Sequence, residues 1–91
     1  MVKLVAKVRV KNAQGLHARP ATAIVKLLQT VRSSVSFTHR QETVNAKSIM
    51  SILMLAAAKN VLITVTVEGD DAEEAMEKIV QAFDKRFGEE G

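Results

Sequence analysis

The sequence predicts an α+β protein in which four strands form a mainly antiparallel sheet with three helices on one face. Four segments alternate apolar and polar residues or are rich in β-branched residues, and three segments place apolar residues at helical spacing. These segments follow one another in the order βαββαβα. The length of 91 residues and the hydrophobic content of 47% suit one compact domain over residues 1–91.

The first strand and the first helix flank a turn. Residues 3–10 alternate apolar and mostly basic side chains, which is typical of a half-buried strand. Residues 12–15 supply turn-forming side chains, ending with Gly15. Apolar residues at helical spacing then predict a helix to about Thr30 whose buried stripe is Ala21, Ile24, Leu28 and Val31.

The next two strands are short. Residues 33–38 and 41–45 predict a hairpin whose turn lies near His39 and Arg40. We interpret His39 as a solvated turn residue, because neither of its neighbours forms a recognisable motif with it.

The second helix is predicted from Ala46 to about Lys59. Its residues are good helix formers and are apolar almost without interruption. A helix that lies on one face of a sheet needs only an apolar stripe. We therefore expect Ile52 and Leu55 in the core and other apolar side chains exposed to a partner.

The last strand and the third helix complete the predicted fold. Residues 61–68 are β-branched at most positions and form the clearest strand. Asp70 or Asp71 can cap the third helix, whose first turn holds Glu73 and Glu74. The predicted buried stripe of this helix consists of Met76, Ile79, Val80, Phe83 and Phe87.

Composition restricts the classes of function. The chain has no cysteine, which rules out disulfides and thiolate metal sites, and we expect a cytoplasmic protein. Residues 1–10 do not resemble a signal peptide, and no apolar run reaches the roughly 20 residues that a membrane-spanning helix needs. We expect no membrane insertion.

The net charge of +3 is distributed unevenly along the chain. Residues 1–47 carry nine Lys and Arg and one acid, whereas residues 48–91 carry four Lys and Arg and nine acids. The basic first part favours an acidic partner or a phosphate group. We disfavour nucleic acid as a partner, because the chain has only three aromatic residues to stack on bases.

The candidate site is the segment 15–21, Gly-Leu-His-Ala-Arg-Pro-Ala. Pro20 suits the first turn of a helix, which places His17 at the helix start. The backbone N–H groups of Ala18 and Arg19 then lack intrahelical acceptors and can point at an anion. Because a residue before proline resists the helical region, Arg19 is expected at the helix boundary.

These residues fit a phosphoryl carrier. The neutral imidazole of His17 can act as a nucleophile at neutral pH without a separate base. The free amides and the Arg19 guanidinium would hold a phosphoryl group only modestly, which keeps transfer reversible. The sequence has no glycine-rich phosphate loop and no acidic metal cluster, so we expect neither an autonomous kinase nor a metal site or cofactor.

Residues 15–22 (GLHARPAT) resemble the active-site signature of HPr, the histidine phosphocarriers of the bacterial phosphoenolpyruvate-dependent phosphotransferase system. Residues 47–50 (KSIM) are similar to the regulatory-serine segment of that family, and the likeness covers essentially the whole chain. The resemblance implies an open-faced β-sandwich and a carrier that is not itself an enzyme. It also implies that enzyme I phosphorylates His17 on Nδ1 and that His17 donates the group to enzyme IIA domains.

The same resemblance assigns a second group of residues. It implies that Ser48 is the target of an HPr kinase/phosphorylase in organisms that have one, and that Ile49, Met50 and Leu53 form an exposed docking surface. The alternative for Ser48 is an unmodified residue at the start of the second helix. We expect the carrier to be a monomer.

The chain departs from the family pattern at Ser51 and at residues 56–58, where the family often has glycine. Residues 53–59 (LMLAAAK) are more similar to carriers of the nitrogen-related branch, so sugar transport and nitrogen-related regulation both stay open. Two further alternatives are a regulatory HPr-like protein that acts through Ser48 without carrier flux, and a small basic RNA-binding domain.

Overall fold

Four strands and three helices make up the computed structural model, which describes residues 2–89. The strands are β1 (Val2–Arg9), β2 (Ser34–His39), β3 (Glu42–Asn45) and β4 (Leu62–Gly69). The helices are α1 (Ala18–Leu27), α2 (Ile49–Leu55) and α3 (Ala72–Asp84), followed by a 3-10 turn over Arg86–Gly88. The predicted order βαββαβα is confirmed. Residues 1, 90 and 91 of the predicted domain lie outside the described residues.

The strands form one antiparallel sheet in the order β1-β4-β2-β3. β4 lies between β1 and β2, and its alternate residues Ile63, Val65 and Val67 are fully buried. Their β-branched side chains suit a pleated central strand that packs on one face. The predicted α+β class and mainly antiparallel sheet are confirmed.

The core lies between the three helices and one face of the sheet, while the other face is open to solvent. On the open face, Lys3, Val5 and Lys7 of β1 are exposed, as the alternation of this strand predicts. On the helical face, the aromatic rings of Phe37 and Phe83 meet edge to face at a centroid distance of 5.7 Å. Among residues 2–89, no helix is long and apolar enough to cross a membrane.

Helix α2 is shorter than the predicted span from Ala46 to Lys59. Its N-terminal side is set by a turn in which Asn45 accepts hydrogen bonds from the backbone N–H groups of Lys47 and Ser48. At its C-terminal end Ala56 adopts a left-handed conformation with φ of 52°. The left-handed turn at Ala56 therefore ends the helix despite the high helix propensity of the alanines at 56–58.

The other two helices also end earlier than predicted. Helix α1 ends at Leu27, and residues 28–30 form a turn instead of continuing the helix to Thr30. Helix α3 ends at Asp84, so Phe87 lies beyond it. The Phe87 ring nevertheless packs on Phe83 at 4.9 Å, because the 3-10 turn folds it back onto the core.

Two local predictions need correction. Asp71 stands at the N-cap position of α3, but its carboxylate makes no capping hydrogen bond and instead accepts from the backbone N–H groups of Arg32 and Ser33, each at 2.8 Å. His39 is the half-buried last residue of β2, opposite Glu42, and the hairpin turn follows it at residues 40–41.

Candidate functional site

His17 occupies the N-cap position of α1 with extended backbone angles, φ −81° and ψ −165°. The chain reaches it through Gly15, and the His17 N–H donates back to the Gly15 carbonyl at 3.0 Å. The intervening Leu16 is buried in the core, and its N–H donates to the Ala57 carbonyl at 2.9 Å. These contacts direct the imidazole outward, with 30% of the side chain exposed.

Glycine is required at position 15, where the chain that leads to His17 passes close to the backbone of Ala57. Its φ is +71°, and a Cβ at this position would lie 2.4 Å from the carbonyl oxygen of Ala57. A side chain would therefore suffer both backbone strain and a clash with main-chain atoms. The glycine of the motif thus allows the loop after α2 to pack beside the histidine.

The first turn of α1 leaves two amides for an anion. The first backbone hydrogen bond of the helix runs from the N–H of Ala21 to the carbonyl of His17 at 3.1 Å, and Pro20 has no N–H to donate. Ala18 and Arg19 occupy the two positions before Pro20, so their N–H groups belong to the unsatisfied donors of a helix start.

Arg19 is the second residue of α1 and does not mark its boundary, contrary to the expectation from the following proline. The restriction on a residue before proline is a bias, and here the burial of Pro20 and Ala21 outweighs it. The extended residue is His17 instead. Arg19 is exposed and borders the same pocket as His17.

The carboxylate of Glu89 lies directly against the His17 ring. Its two oxygens are 2.9 and 3.1 Å from Nε2, and 15% of its side chain is exposed. The Nδ2 group of the fully buried Asn12 donates to Glu89 Oε1 at 2.9 Å and to the Gly15 carbonyl at 2.6 Å. Glu89 could not be predicted from the sequence, because no motif connects residues 72 positions apart, and Asn12 was predicted only as a turn residue.

Glu89 is held as a carboxylate. Burial alone would raise the pKa of the Glu89 carboxyl, but hydrogen bonds with His17 and Asn12, and attraction to Arg19 and to the protonated form of His17, lower it below its usual value. The site therefore brings the anionic Glu89 and the cationic Arg19 to one pocket with a half-exposed imidazole.

A pocket of about 370 Å³ opens at this site. It is lined by Ala13, Gln14, His17, Arg19, Gly88 and Glu89. The open pocket gives another protein access to the ring. Within residues 2–89 no group of three metal-ligating side chains is present.

Four apolar side chains of α2 face solvent, and we call them the α2 patch. They are Ile49 and Leu53, each 37% exposed, and Met50 and Met54, each 70% exposed. Ile52 and Leu55 are buried, as predicted. Ile49, Met50 and Leu53 of this patch were predicted from the sequence, and Met54, one helical turn after Met50, was not. Since Ala57 contacts Leu16, the C-terminal end of the patch lies close to the His17 segment.

Ser48 is the N-cap of α2 and is half-buried. Its hydroxyl accepts a hydrogen bond from the N–H of Ser51 at 3.3 Å. A structural role as a helix cap is therefore present at this residue. The neighbouring Ile49 and Met50 place Ser48 beside the α2 patch.

Comparisons with known proteins agree with this fold. A family model described as "PTS HPr component phosphorylation site" matches residues 4–85. The phosphocarrier protein HPr of Chlamydia pneumoniae is 49% identical over 80 residues, which cover 88% of this chain and 74% of the relative.

Solved structures give the same result. HPr-C-His from Thermoanaerobacter tengcongensis superposes with a TM-score of 0.89 at 36% identity and covers all of both chains. A structure described as an HPr dimer from that organism has a TM-score of 0.76 at 38% identity, covering 90% of this chain and 94% of that one. The open-faced arrangement predicted from sequence is thus confirmed, while the predicted monomer stays a prediction.

The fold and these matches define the class as a phosphocarrier protein of the phosphotransferase system. The chain belongs to the HPr family.

Proposed function

We propose that His17 accepts a phosphoryl group on Nδ1 from phosphorylated enzyme I and donates it to enzyme IIA domains. The observation that carries this proposal is the half-exposed imidazole at the start of α1, next to Arg19 and to two backbone amides that have no acceptor within the helix. The proposal covers both the sugar-transport and the nitrogen-related branches.

The chemistry follows from these groups. The Nδ1 lone pair of neutral His17 attacks phosphorus, and the bond from phosphorus to the donor atom breaks and returns its electron pair to the donor. The negative charge of the phosphoryl group would be stabilised by the Ala18 and Arg19 amides and by the Arg19 guanidinium. Because the group is held at an open pocket by few contacts, it can pass to the next protein.

The α2 patch is the proposed docking surface for these partners. Its exposed methionines are flexible and can adapt to more than one partner surface, as a carrier between two proteins requires. The exposed Arg19 and Lys26 of α1 favour a partner with acidic groups at the rim of the interface.

Phosphorylation of His17 is tested by incubating the protein with enzyme I and phosphoenolpyruvate. We expect a mass increase of one phosphoryl group that is labile in acid and absent in His17→Ala. An active enzyme I that leaves the wild-type protein unmodified would refute the proposal.

The docking surface is tested by Met54→Ser, with Val5→Ser as its matched control. Both residues are exposed and apolar, at 70% and 60%, but Val5 lies on the open face of the sheet. We expect Met54→Ser to lower kcat/KM for phosphorylation by enzyme I about tenfold, because interface anchors contribute about 1 to 2 kcal/mol. Equal effects of the two substitutions would argue against the α2 patch.

We also propose that phosphorylation of Ser48 regulates docking, since this hydroxyl borders the α2 patch. A phosphate adds about two negative charges there and would repel an acidic partner. Ser48→Asp is expected to slow His17 phosphorylation, whereas Ser48→Ala is expected to lose only cap stability, about 1 kcal/mol. A Ser48→Asp variant that docks as well as Ser48→Ala would remove this regulatory role.

A further inference from the structure

We infer that Glu89 is a positioning residue that keeps the ring proton of neutral His17 on Nε2 and thereby leaves the Nδ1 lone pair free to accept phosphorus. This inference rests on the proposed function of His17. It adds a residue outside the GLHARPAT motif, 72 positions later in the chain.

The contact between Glu89 and His17 selects one tautomer. Both carboxylate oxygens lie within 3.1 Å of Nε2, and a carboxylate can only accept hydrogen bonds. Nε2 must therefore carry the proton for the contact to be favourable. In a neutral imidazole, the other nitrogen then has no proton and presents its lone pair.

Asn12 holds the same carboxylate in place. Its Nδ2 group donates to both Glu89 and Gly15, and a reversed amide would place an oxygen against the Glu89 carboxylate. Within the described part of the chain, Asn12 Oδ1 is buried without a hydrogen-bond partner. The amide is thus oriented toward Glu89 even though its own oxygen stays unsatisfied.

The segment after α3 brings Glu89 to the ring. Arg86, Phe87 and Gly88 all have left-handed backbone angles, with φ of 55°, 56° and 79°. Two consecutive residues with side chains in this region are unfavourable. The packing of Phe87 on Phe83 compensates for this conformation and reverses the chain toward His17.

The same contact assists the transfer step. As the bond between Nδ1 and phosphorus forms and the donor recovers its electron pair, positive charge develops on the His17 ring. The Nε2 proton stays on the ring, and the Glu89 carboxylate stabilises that charge through its hydrogen bond, as carboxylates do in other histidine pairs. When the phosphoryl group leaves, the ring returns to the tautomer that can accept again.

¹⁵N NMR of His17 at about pH 8.5, where imidazole is neutral, measures the tautomer directly. In wild-type protein we expect a smaller Nδ1–H fraction than in a peptide of residues 12–22. Glu89→Ala should raise this fraction to the peptide value, whereas Glu89→Gln should keep it low, since the amide oxygen can still accept from Nε2–H. Glu77→Gln, which changes an exposed carboxylate of α3, is the charge control.

A second readout is the rate of His17 phosphorylation by enzyme I. Glu89→Ala is expected to be about tenfold slower and Glu89→Gln intermediate, because the amide restores the geometry without the charge. An unchanged tautomer fraction in Glu89→Ala would overturn the inference. The NMR measurement needs no enzyme I, so it stands or falls separately from the proposed function.

Discussion

The Arg19 side chain is exposed beside His17 and takes no part in the core. We predict that Arg19→Ala slows phosphoryl transfer about tenfold, since a charge-assisted contact to the phosphoryl group is lost. The free energy of unfolding should change by less than about 0.5 kcal/mol, as for other surface substitutions. Transfer kinetics and urea titrations measure the two effects.

Arg32→Ala is the matched control for Arg19→Ala. It removes the same exposed side chain and charge near β2, and the Arg32 backbone N–H that Asp71 binds is retained. Transfer should proceed at the wild-type rate in this control. A large loss of stability in Arg19→Ala would contradict the role assigned to the residue.

The Asp71 carboxylate accepts hydrogen bonds from the segment that leads into β2. Hydrogen bonds from the Ser33 hydroxyl and from the Arg32 and Ser33 N–H groups hold the pKa of its carboxyl far below the ordinary value of 3.8. Since the unfolded chain binds the proton more readily, this contribution to stability is complete above about pH 5 and decreases as the pH falls.

The test is Asp71→Asn. We expect a lower melting temperature than wild type at pH 7, and a difference between the two proteins that shrinks as the pH falls below 3.8. Thermal unfolding followed by circular dichroism at several pH values measures it. A difference that is constant from pH 7 to about pH 2 would exclude the carboxylate as its source.

At the scale of elements, the loop after α2 packs against the loop that leads into α1, and Gly15 permits this contact. We predict that Gly15→Ala destabilises the protein by about 1 to 3 kcal/mol and displaces His17, because the new Cβ meets the Ala57 carbonyl. Chemical denaturation and the NMR shifts of His17 report the two effects.

Gly88→Ala is the control that distinguishes backbone strain from a steric clash of the new Cβ. Gly88 has a similar φ of +79°, but no atom of the described residues 2–89, its chain neighbours aside, lies within 4 Å of a Cβ built there. Its substitution should lose only about 1 kcal/mol from backbone strain. If both variants lose the same stability, close packing at Gly15 is not the reason for its glycine.

The helices and strands could be predicted from the sequence, but some of their ends could not. Local patterns predicted all seven helices and strands, and the signature around His17 predicted Pro20 in a helical first turn. The patterns could not predict where α2 ends, because Ala56 is left-handed only through its tertiary setting. The role of Glu89 could not be predicted for a similar reason. Its contact with His17 depends on the reversal of chain direction after α3, which no periodic pattern in the sequence indicates.

For the whole molecule, one small core supports both the sheet and the site. Phe37 is fully buried between the sheet and α3 and contacts Phe83, on which Phe87 packs in turn. A domain of this length has a free energy of unfolding of about 5 to 14 kcal/mol. Loss of one central ring is therefore a large fraction of the total.

We predict that Phe37→Ala lowers the free energy of unfolding by about 3 to 5 kcal/mol and that Phe37→Leu loses clearly less, because leucine refills most of the cavity. Urea denaturation of both variants measures the difference. Similar losses in the two variants would mean that the aromatic contact with Phe83, and not cavity volume, dominates.

The hydrogen bond between His17 and Glu89 also has a consequence for biosynthesis. His17 leaves the ribosome long before Glu89, which follows 72 residues later. A nascent chain that has already emerged through α1 therefore exposes an imidazole without its carboxylate neighbour. The contact that sets the His17 tautomer in our proposal can form only after translation has passed the end of α3.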